Sequence, residues 1–353
     1  MAKDFLDMVA SQFGDSVDIG KDDNIKEWVD TGSYALNRII SGDYLKGYPC
    51  GKLVELFGDP SSGKSFFIYE AIANFQKKYG KNAACILDDT EDAFMTDVGD
   101  KVGVDSNRLI RVSSDTVEEH FNRMFFGMEE KAKKGEEGDD GGKKKKTPGL
   151  LPYILDKNPD AKILLALDSV AQLSTVHEKE VGFSKNDMTK AKKLKAGIRM
   201  NWPFISENDV LYLVANHVYD VITAYIPTKA TPGGKAIPFQ SSVRIEMTMK
   251  TKHKTATGII TGVDTKLYIR KNKVAPPFRE TTVSIDFMKG ISRMDGVAEL
   301  MLEDGMFKKK AAGWWYLDKE KKMRETDLTE ELFLELLTKH KNGGKVVEAP
   351  KGE

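Results

Sequence analysis

The sequence predicts an α/β protein: a mostly parallel central sheet flanked by helices, with a short helical segment ahead of it and a small α+β unit behind. Three observations carry that prediction. Short apolar runs at 52–57, 83–87, 163–167 and 210–215 each end at polar residues, as strands buried on both faces do. Helical periodicity alternates with them, most plainly over 65–79, where Phe67, Ile68, Ala71, Ile72 and Phe75 share a face. A glycine-containing turn, 58–65, joins the first of these strands to that helix, the kind of strand end at which α/β sheets place their chemistry.

Taken in order, residues 1–30 are polar, with Phe5, Leu6, Met8, Val9 and Phe13 at roughly helical spacing. That stripe packs either on its own domain or on a neighbouring subunit, so 1–30 is a candidate oligomerisation segment. Residues 31–288 form the α/β core. Inside it, 129–149 breaks the pattern with Glu129, Glu130, Glu136, Glu137, Asp139 and Asp140, then four lysines at 143–146. Blocks of like charge with glycine are expected to be a solvated, disordered insertion. Residues 289–353 make the small C-terminal unit, with Gly313-Trp314-Trp315-Tyr316, an amphipathic helix near 330–340 and a Gly/Lys tail.

The composition narrows the function classes. Of 353 residues, 40% are hydrophobic and 31% charged, a globular balance, and no apolar run approaches the roughly 18 residues of a spanning helix. The first residues carry acids where a leader carries basic charge, so a cytoplasmic location is expected, in a bacterium or an infected host. Two cysteines, Cys50 and Cys85, exclude a disulfide scaffold. Basic and acidic residues balance at 54 each, so any nucleic-acid contact must come from local patches.

Gly58-Asp59-Pro60-Ser61-Ser62-Gly63-Lys64-Ser65 satisfies G-x-x-x-x-G-K-[ST], and Phe66 follows it into the helix. The glycines let backbone N–H groups cradle phosphate oxygens at a helix N-terminus, Lys64 reaches the terminal phosphates and Ser65 ligates Mg²⁺. ATP and Mg²⁺ are the expected substrate and cofactor. Hydrolysis also needs a carboxylate for the Mg²⁺ shell, supplied by Asp168 at the end of an apolar run, and a group to activate water. Asp88, Asp89, Glu91 and Asp92 follow another strand, and spacing does not choose among them. Asn216-His217 ends a further strand, where a polar pair could sense the γ-phosphate.

In this order the parts resemble the RecA recombinases, and within them the phage UvsX-like branch, from about Val29 to about Tyr316. Gly51-Lys52-Leu53-Val54-Glu55-Leu56-Phe57-Gly58 looks like that family's strand into its phosphate loop, so the resemblance implies a RecA-like ATPase core. Asp89-Thr90-Glu91 matches its Asp-x-Glu, which makes Glu91 the group that activates water. Asn216-His217 stands where RecA carries Asn-Gln and the phage branch Asn-His, making His217 the γ-phosphate sensor. Lys271-Asn272-Lys273 matches a Lys-x-Lys that reaches the neighbouring subunit's triphosphate, where cations stabilise transition-state charge. Val98 and Met95 stand where the family carries an adenine-stacking tyrosine and a nearby aspartate, and Phe239 matches an aromatic at the subunit contact.

Two DNA-binding segments follow from the resemblance. The first, 177–187 with the helix after it, contributes Gly182, Phe183, Lys193 and Arg199; the second, 218–237, contributes Tyr225, Gly233, Gly234 and Lys235. Basic side chains there neutralise phosphates and aromatic ones enter base stacks. The implied function is a DNA-dependent ATPase that forms helical filaments of its own copies on single-stranded DNA and pairs them with homologous duplex DNA for strand exchange. A single-strand-binding protein and a loading mediator are further partners the resemblance implies, and no membrane is involved. A ring-forming helicase or motor on the same core, and a non-hydrolysing nucleotide-dependent mediator, are the alternatives.

Overall fold

A computed structural model describes residues 2–13, 25–129, 146–182, 189–220, 229–311, 313–317 and 321–342. Phe183, Tyr225, residues 130–145 of the charged stretch and the 343–353 tail lie outside the described residues.

Helix α1 (Ala2–Phe13) comes first, and a ribbon of β1 (Trp28–Val29) and β2 (Tyr48–Pro49) then brackets α2 (Tyr34–Ser41). The alternation that follows is β3 (Leu53–Gly58), α3 (Lys64–Tyr79), β4 (Ala83–Asp89), α4 (Thr96–Val102), β5 (Leu109–Val112) and α5 (Val117–Phe121). β6 (Met128–Glu129) pairs with β7 (Lys146–Thr147) at the base of the charged stretch, ahead of α6 (Leu150–Lys157), β8 (Lys162–Asp168), α7 (Val176–Val181), α8 (Thr189–Glu207) and β9 (Leu211–His217). β10 (Tyr219–Asp220) pairs with β11 (Lys229–Ala230), and α9 (Ala236–Gln240) leads into β12 (Val243–Lys254), β13 (Ile260–Asn272), β14 (Glu280–Asp286) and β15 (Gly290–Ile291). The chain closes with α10 (Val297–Glu303), β16 (Lys309–Ala311), β17 (Trp314–Tyr316), β18 (Lys322–Met323) and α11 (Glu330–Lys341).

One nine-stranded sheet runs in the order β15-β14-β13-β12-β3-β9-β8-β4-β5. From β12 to β5 all neighbours are parallel, and β13, β14 and β15 continue antiparallel. Every residue of β3 is buried, as a central strand covered by helices on both faces requires. The expected mostly parallel sheet with flanking helices is therefore what the chain forms. β13 lies between β12 and β14, but Lys271 sits past Tyr268, the last residue in register with β14, and Lys273 lies beyond the strand and is exposed.

One core layer joins Leu36, Ile40, Phe67, Ile72 and Phe75 to Trp315 and Phe333; the other packs Phe121, Leu165, Ile198 and Tyr212. The C-terminal unit thus shares the first layer. Phe333 meets Tyr34 at 4.9 Å and Tyr44 at 5.3 Å between ring centres, and Arg293 ties Asp30 (2.7 Å) to Glu330 (2.9 Å). The main sheet takes in Gly290–Ile291, just beyond residue 288. On α1, Phe5, Leu6 and Met8 remain exposed, so among the described residues nothing covers this part of the stripe, while Val9 is half-buried.

Candidate active site

Gly58, Asp89, Asp168 and His217 end β3, β4, β8 and β9 at one edge of the parallel sheet, with Asp89 beside Asp168 and Gly58 beside His217 in register. β3 and β4 are consecutive in the chain but separated by β9 and β8 in the sheet, which opens a crevice at this edge.

Helix α3 starts at Lys64, directly after Gly63, whose φ of +91° is one that side chains with a Cβ rarely adopt. Gly58 is fixed by a close approach: a Cβ there would lie 2.0 Å from the Met247 carbonyl oxygen. The Lys64 ammonium donates to the carbonyls of Gly58 (3.1 Å) and Asp59 (3.0 Å), folded back over its own loop. Its burial lowers its pKa from the ordinary lysine value, against the pull of Asp168 and Glu91. Pro60 and Ser61 are exposed, and Ser62 is buried with an Oγ that finds no partner among the described residues. Phe66, on the first turn of α3, stacks on Phe287 at 6.0 Å; the sequence offered no signal for Phe287, because the partner is 221 residues away only in the chain.

Ser65 Oγ donates to Asp168 Oδ2 at 2.7 Å. A hydroxyl and a carboxylate set side by side are the hard oxygen donors that suit Mg²⁺, which usually takes one or two protein carboxylates and fills its shell with phosphate and water. The residues present fit that ion. Burial, with Glu91 and Asp89 nearby, raises the Asp168 carboxyl above the ordinary aspartate value although Ser65 pulls it down.

The four acids in the last two positions of β4 and just beyond it are sorted by their partners. Asp88 is buried against His120 and accepts from Ser114 N. Asp89 accepts from the backbone N–H groups of Ala93 (3.1 Å) and Phe94 (2.9 Å), holding the turn. Asp92 is 93% exposed at its side chain. Glu91 alone turns into the crevice, where its Oε1 accepts from Ser169 Oγ at 2.5 Å and lies 2.7 Å from His217 Nε2. Burial by itself would raise the Glu91 carboxyl, but these two bonds outweigh it and hold it below the ordinary glutamate value. Ser169 directly follows Asp168, and nothing in its spacing marks it as the partner of Glu91.

Asn216, next to His217, is fully buried and donates to Glu55 Oε1 (3.1 Å) and to the Pro232 carbonyl (3.2 Å). Glu55 Oε2 accepts from Arg244. Gly233 and Gly234 follow, set against Leu194 and Ala191 of α8. Lys192, Lys195 and Lys235 line one 210 Å³ pocket with Phe239, which is 65% exposed. Arg199 falls on the same face of α8 as Lys192 and Lys195 by spacing. Lys193 does not: its ammonium lies 3.4 Å from Glu118 of α5. Gly182 ends α7 at φ +62°, and among the described residues no atom lies within 4 Å of where its Cβ would stand.

Lys271 and Lys273 are not brought to this crevice. Lys271 pairs with Arg244, and Arg244 with Glu55, two strands across from β3 and three residues short of Gly58; that separation is about 14 Å by strand spacing and rise. The Lys271 ammonium instead donates to the Pro238 (2.8 Å) and Phe239 (2.9 Å) carbonyls.

The RecA N-terminal domain model matches residues 2–125 and 156–292, leaving out the charged stretch. Protein RecA of Mesoplasma florum is 29% identical over 308 residues, covering 85% of this chain and 80% of that protein. Protein RecA of Mycoplasmopsis pulmonis is 28% identical over 319 residues (88% and 83%), and that of Chloroherpeton thalassium 30% over 290 residues (82% and 71%). With the family model spanning well over half of the sequence and a phosphate loop, Asp168 and Glu91 converging at one sheet edge, the chain belongs to the RecA family.

Proposed function

We propose that this protein is a DNA-dependent ATPase that assembles on single-stranded DNA as a helical filament and promotes homologous pairing and strand exchange, in the phage branch of the family, where the sensor pair is Asn-His. The observation that supports the reading is the separation of Lys271 from the crevice that holds the phosphate loop and Glu91. One protomer supplies the phosphate loop, Glu91 and His217 at one crevice, while its Lys271 and Lys273 stand too far away for a four-carbon stem to serve the same triphosphate. A neighbour's pair would complete it, and such head-to-tail contacts build open helices when they do not close into rings.

Within the site each residue has a task. Lys64 leaves the loop carbonyls for the terminal phosphates, and Glu91, held ionised by Ser169 and His217, orients and deprotonates the attacking water. Mg²⁺ held by Ser65 and Asp168 supplies charge neutralisation at the phosphates. His217 lies between Glu91 and Asn216, whose amide reaches the Pro232 carbonyl at the foot of the second DNA segment, so the γ-phosphate and DNA are read by adjacent residues. Lys192, Lys195, Arg199 and Lys235 give that segment a local basic surface on a chain of zero net charge. The uncovered stripe on α1 suits docking on the next protomer.

Electron microscopy of the protein with single-stranded DNA and a non-hydrolysable ATP analogue tests this reading. Open helical filaments are expected; closed rings would transfer the protein to the motor alternative, and particles that hydrolyse no ATP with DNA present would make it a mediator.

A further inference from the structure

Beneath the crevice lies a buried polar relay that the proposed chemistry does not use. His120 of α5 is fully buried, with Nδ1 2.6 Å from Asp88 Oδ2 and Nε2 2.8 Å from the Tyr212 hydroxyl; Asp88 and Tyr212 are buried as well. Asp88 also accepts from Ser114 N at 2.8 Å. Burial alone would raise the Asp88 carboxyl, but the His120 and Ser114 bonds outweigh it and hold it below the ordinary aspartate value. With Asp88 placed to accept at both oxygens, from Ser114 N and from the imidazole, the geometry assigns Nδ1 the donor role. The relay clamps two catalytic strands at once, for Asp88 precedes Glu91 by three residues on the way out of β4, and Tyr212 lies on β9, which ends at His217.

On its other side α5, with Asp115 just ahead of it, is bonded to the chain that leads into and out of the proposed first DNA segment. Val117 N donates to the Ser174 carbonyl and Ser174 N to the Asp115 carbonyl, both at 3.0 Å. Val176 N donates to Glu118 (3.3 Å), and Lys179 of α7 pairs with Asp115 at 2.6 Å. From the far end of the same segment, Lys193 of α8 approaches Glu118, and Gly197 packs on Phe121 so closely that a Cβ would lie 2.2 Å from its ring. A five-residue helix thus touches both flanks of the DNA segment and, through one side chain, both strands that carry Glu91 and His217.

Building on the proposed function, we infer that His120 is a positioning residue: it transmits the placement of α5, set by DNA on the first segment, to the strand ends that hold Glu91 and His217. It touches neither nucleotide nor DNA. Its effect belongs in the activation that DNA confers, a coupling between two sites, more than in binding at either.

The test compares wild type, His120→Ala and His120→Gln by ATP turnover with and without saturating single-stranded DNA, KM for ATP, and melting temperature. Glutamine keeps one donor for Asp88 and one acceptor for Tyr212. For His120→Ala, DNA-free turnover and KM are expected to stay within about twofold, while DNA-stimulated kcat falls about tenfold; His120→Gln is expected to recover much of the loss. A folded His120→Ala with undiminished stimulation overturns the inference, as does an equal loss with and without DNA, which marks a structural role. If His120→Ala does not fold, Tyr212→Phe decides: it removes one hydroxyl, and a partial loss of stimulation supports the relay while full stimulation overturns it. A wild-type protein whose turnover ignores DNA removes the proposed function and this inference together; a stimulated wild type with indifferent variants removes the inference alone.

Discussion

Mixing two inactive variants locates the action of Lys271 and Lys273. The first, Lys271→Ala/Lys273→Ala, keeps the phosphate loop, Glu91 and His217; the second, Glu91→Gln, keeps both lysines. In trans, each variant alone lacks one half of every site. Loss of transition-state cations costs about a thousandfold or more, and loss of a general base about a hundredfold to ten-thousandfold. In a random co-filament, an interface is intact only where the lysine variant presents its loop to the lysines of the Glu91 variant. That frequency is the product of the two fractions, largest at equal mixing and then about one quarter of all head-to-tail interfaces. Rescue within one copy is not expected, because the Lys271 ammonium is bonded to the Pro238 and Phe239 carbonyls and its backbone lies about 14 Å from that of Gly58 by strand spacing and rise. Turnover on single-stranded DNA, measured across mixing ratios, should follow that product and peak near a quarter of the wild-type rate. Absence of recovery at every ratio, with mixed filaments visible by electron microscopy, would refute a shared site.

Further expectations concern single residues. Lys64→Ala should weaken ATP binding at least about tenfold, the loss of a charge-assisted bond, and abolish ATP-dependent DNA binding; unchanged affinity by titration calorimetry would remove the loop assignment. Glu91→Gln should still form ATP-supported filaments while turnover stops, and Asp92→Asn should change neither; normal turnover in Glu91→Gln would move the base to a neighbouring acid. Phe333→Ala, which empties a fully buried site against Tyr34 and Tyr44, should cost about 3–5 kcal/mol in chemical denaturation, and a loss below 1 kcal/mol would show that α11 is not part of the core. Asp304 is held below the ordinary aspartate value, because the Arg38 and Tyr44 bonds outweigh the effect of burial, so its contribution is complete above that value and lost as pH falls through its folded pKa. Asp304→Asn should therefore lower the melting temperature at pH 7, with the gap closing in acid below about pH 4; a gap independent of pH would count against the ion pair.

Continuous apolar runs made β3, β4, β8 and β9 legible, because parallel strands covered on both faces need apolar residues at successive positions. The long β12–β13 hairpin is written in a different pattern. Val243, Ile245 and Met247 are buried with half-exposed Arg244, Glu246 and Thr248 between them, an alternation that signals a sheet more open on one face. Which acid after β4 faces the crevice was beyond local reading, since Asp88 is claimed by His120, 32 residues on, and Asp89 by a turn. The basic side chains of α8 were visible as a group, but their division was not: the packing of α8 on α5 sends Lys193 to Glu118, while Lys192 and Lys195 line a pocket with Lys235 and Arg199 falls on their face of the helix.

Glu55 shows why strand register and chemistry are inseparable here. A carboxylate with no exposure in the middle of a sheet is strongly disfavoured unless its oxygens are engaged, and both are, by Asn216 on one side and Arg244 on the other. Arg244 in turn covers the Phe57 ring at 4.3 Å and pairs in register with Lys271. Breaking one partner would leave a buried charge uncompensated, so the three strands β9, β3 and β12 are locked together three residues before the ends where β3 reaches Gly58 and β9 reaches His217. Asn216 also donates to the Pro232 carbonyl, so one amide ties this buried cluster to the start of the turn that holds Gly233 and Gly234.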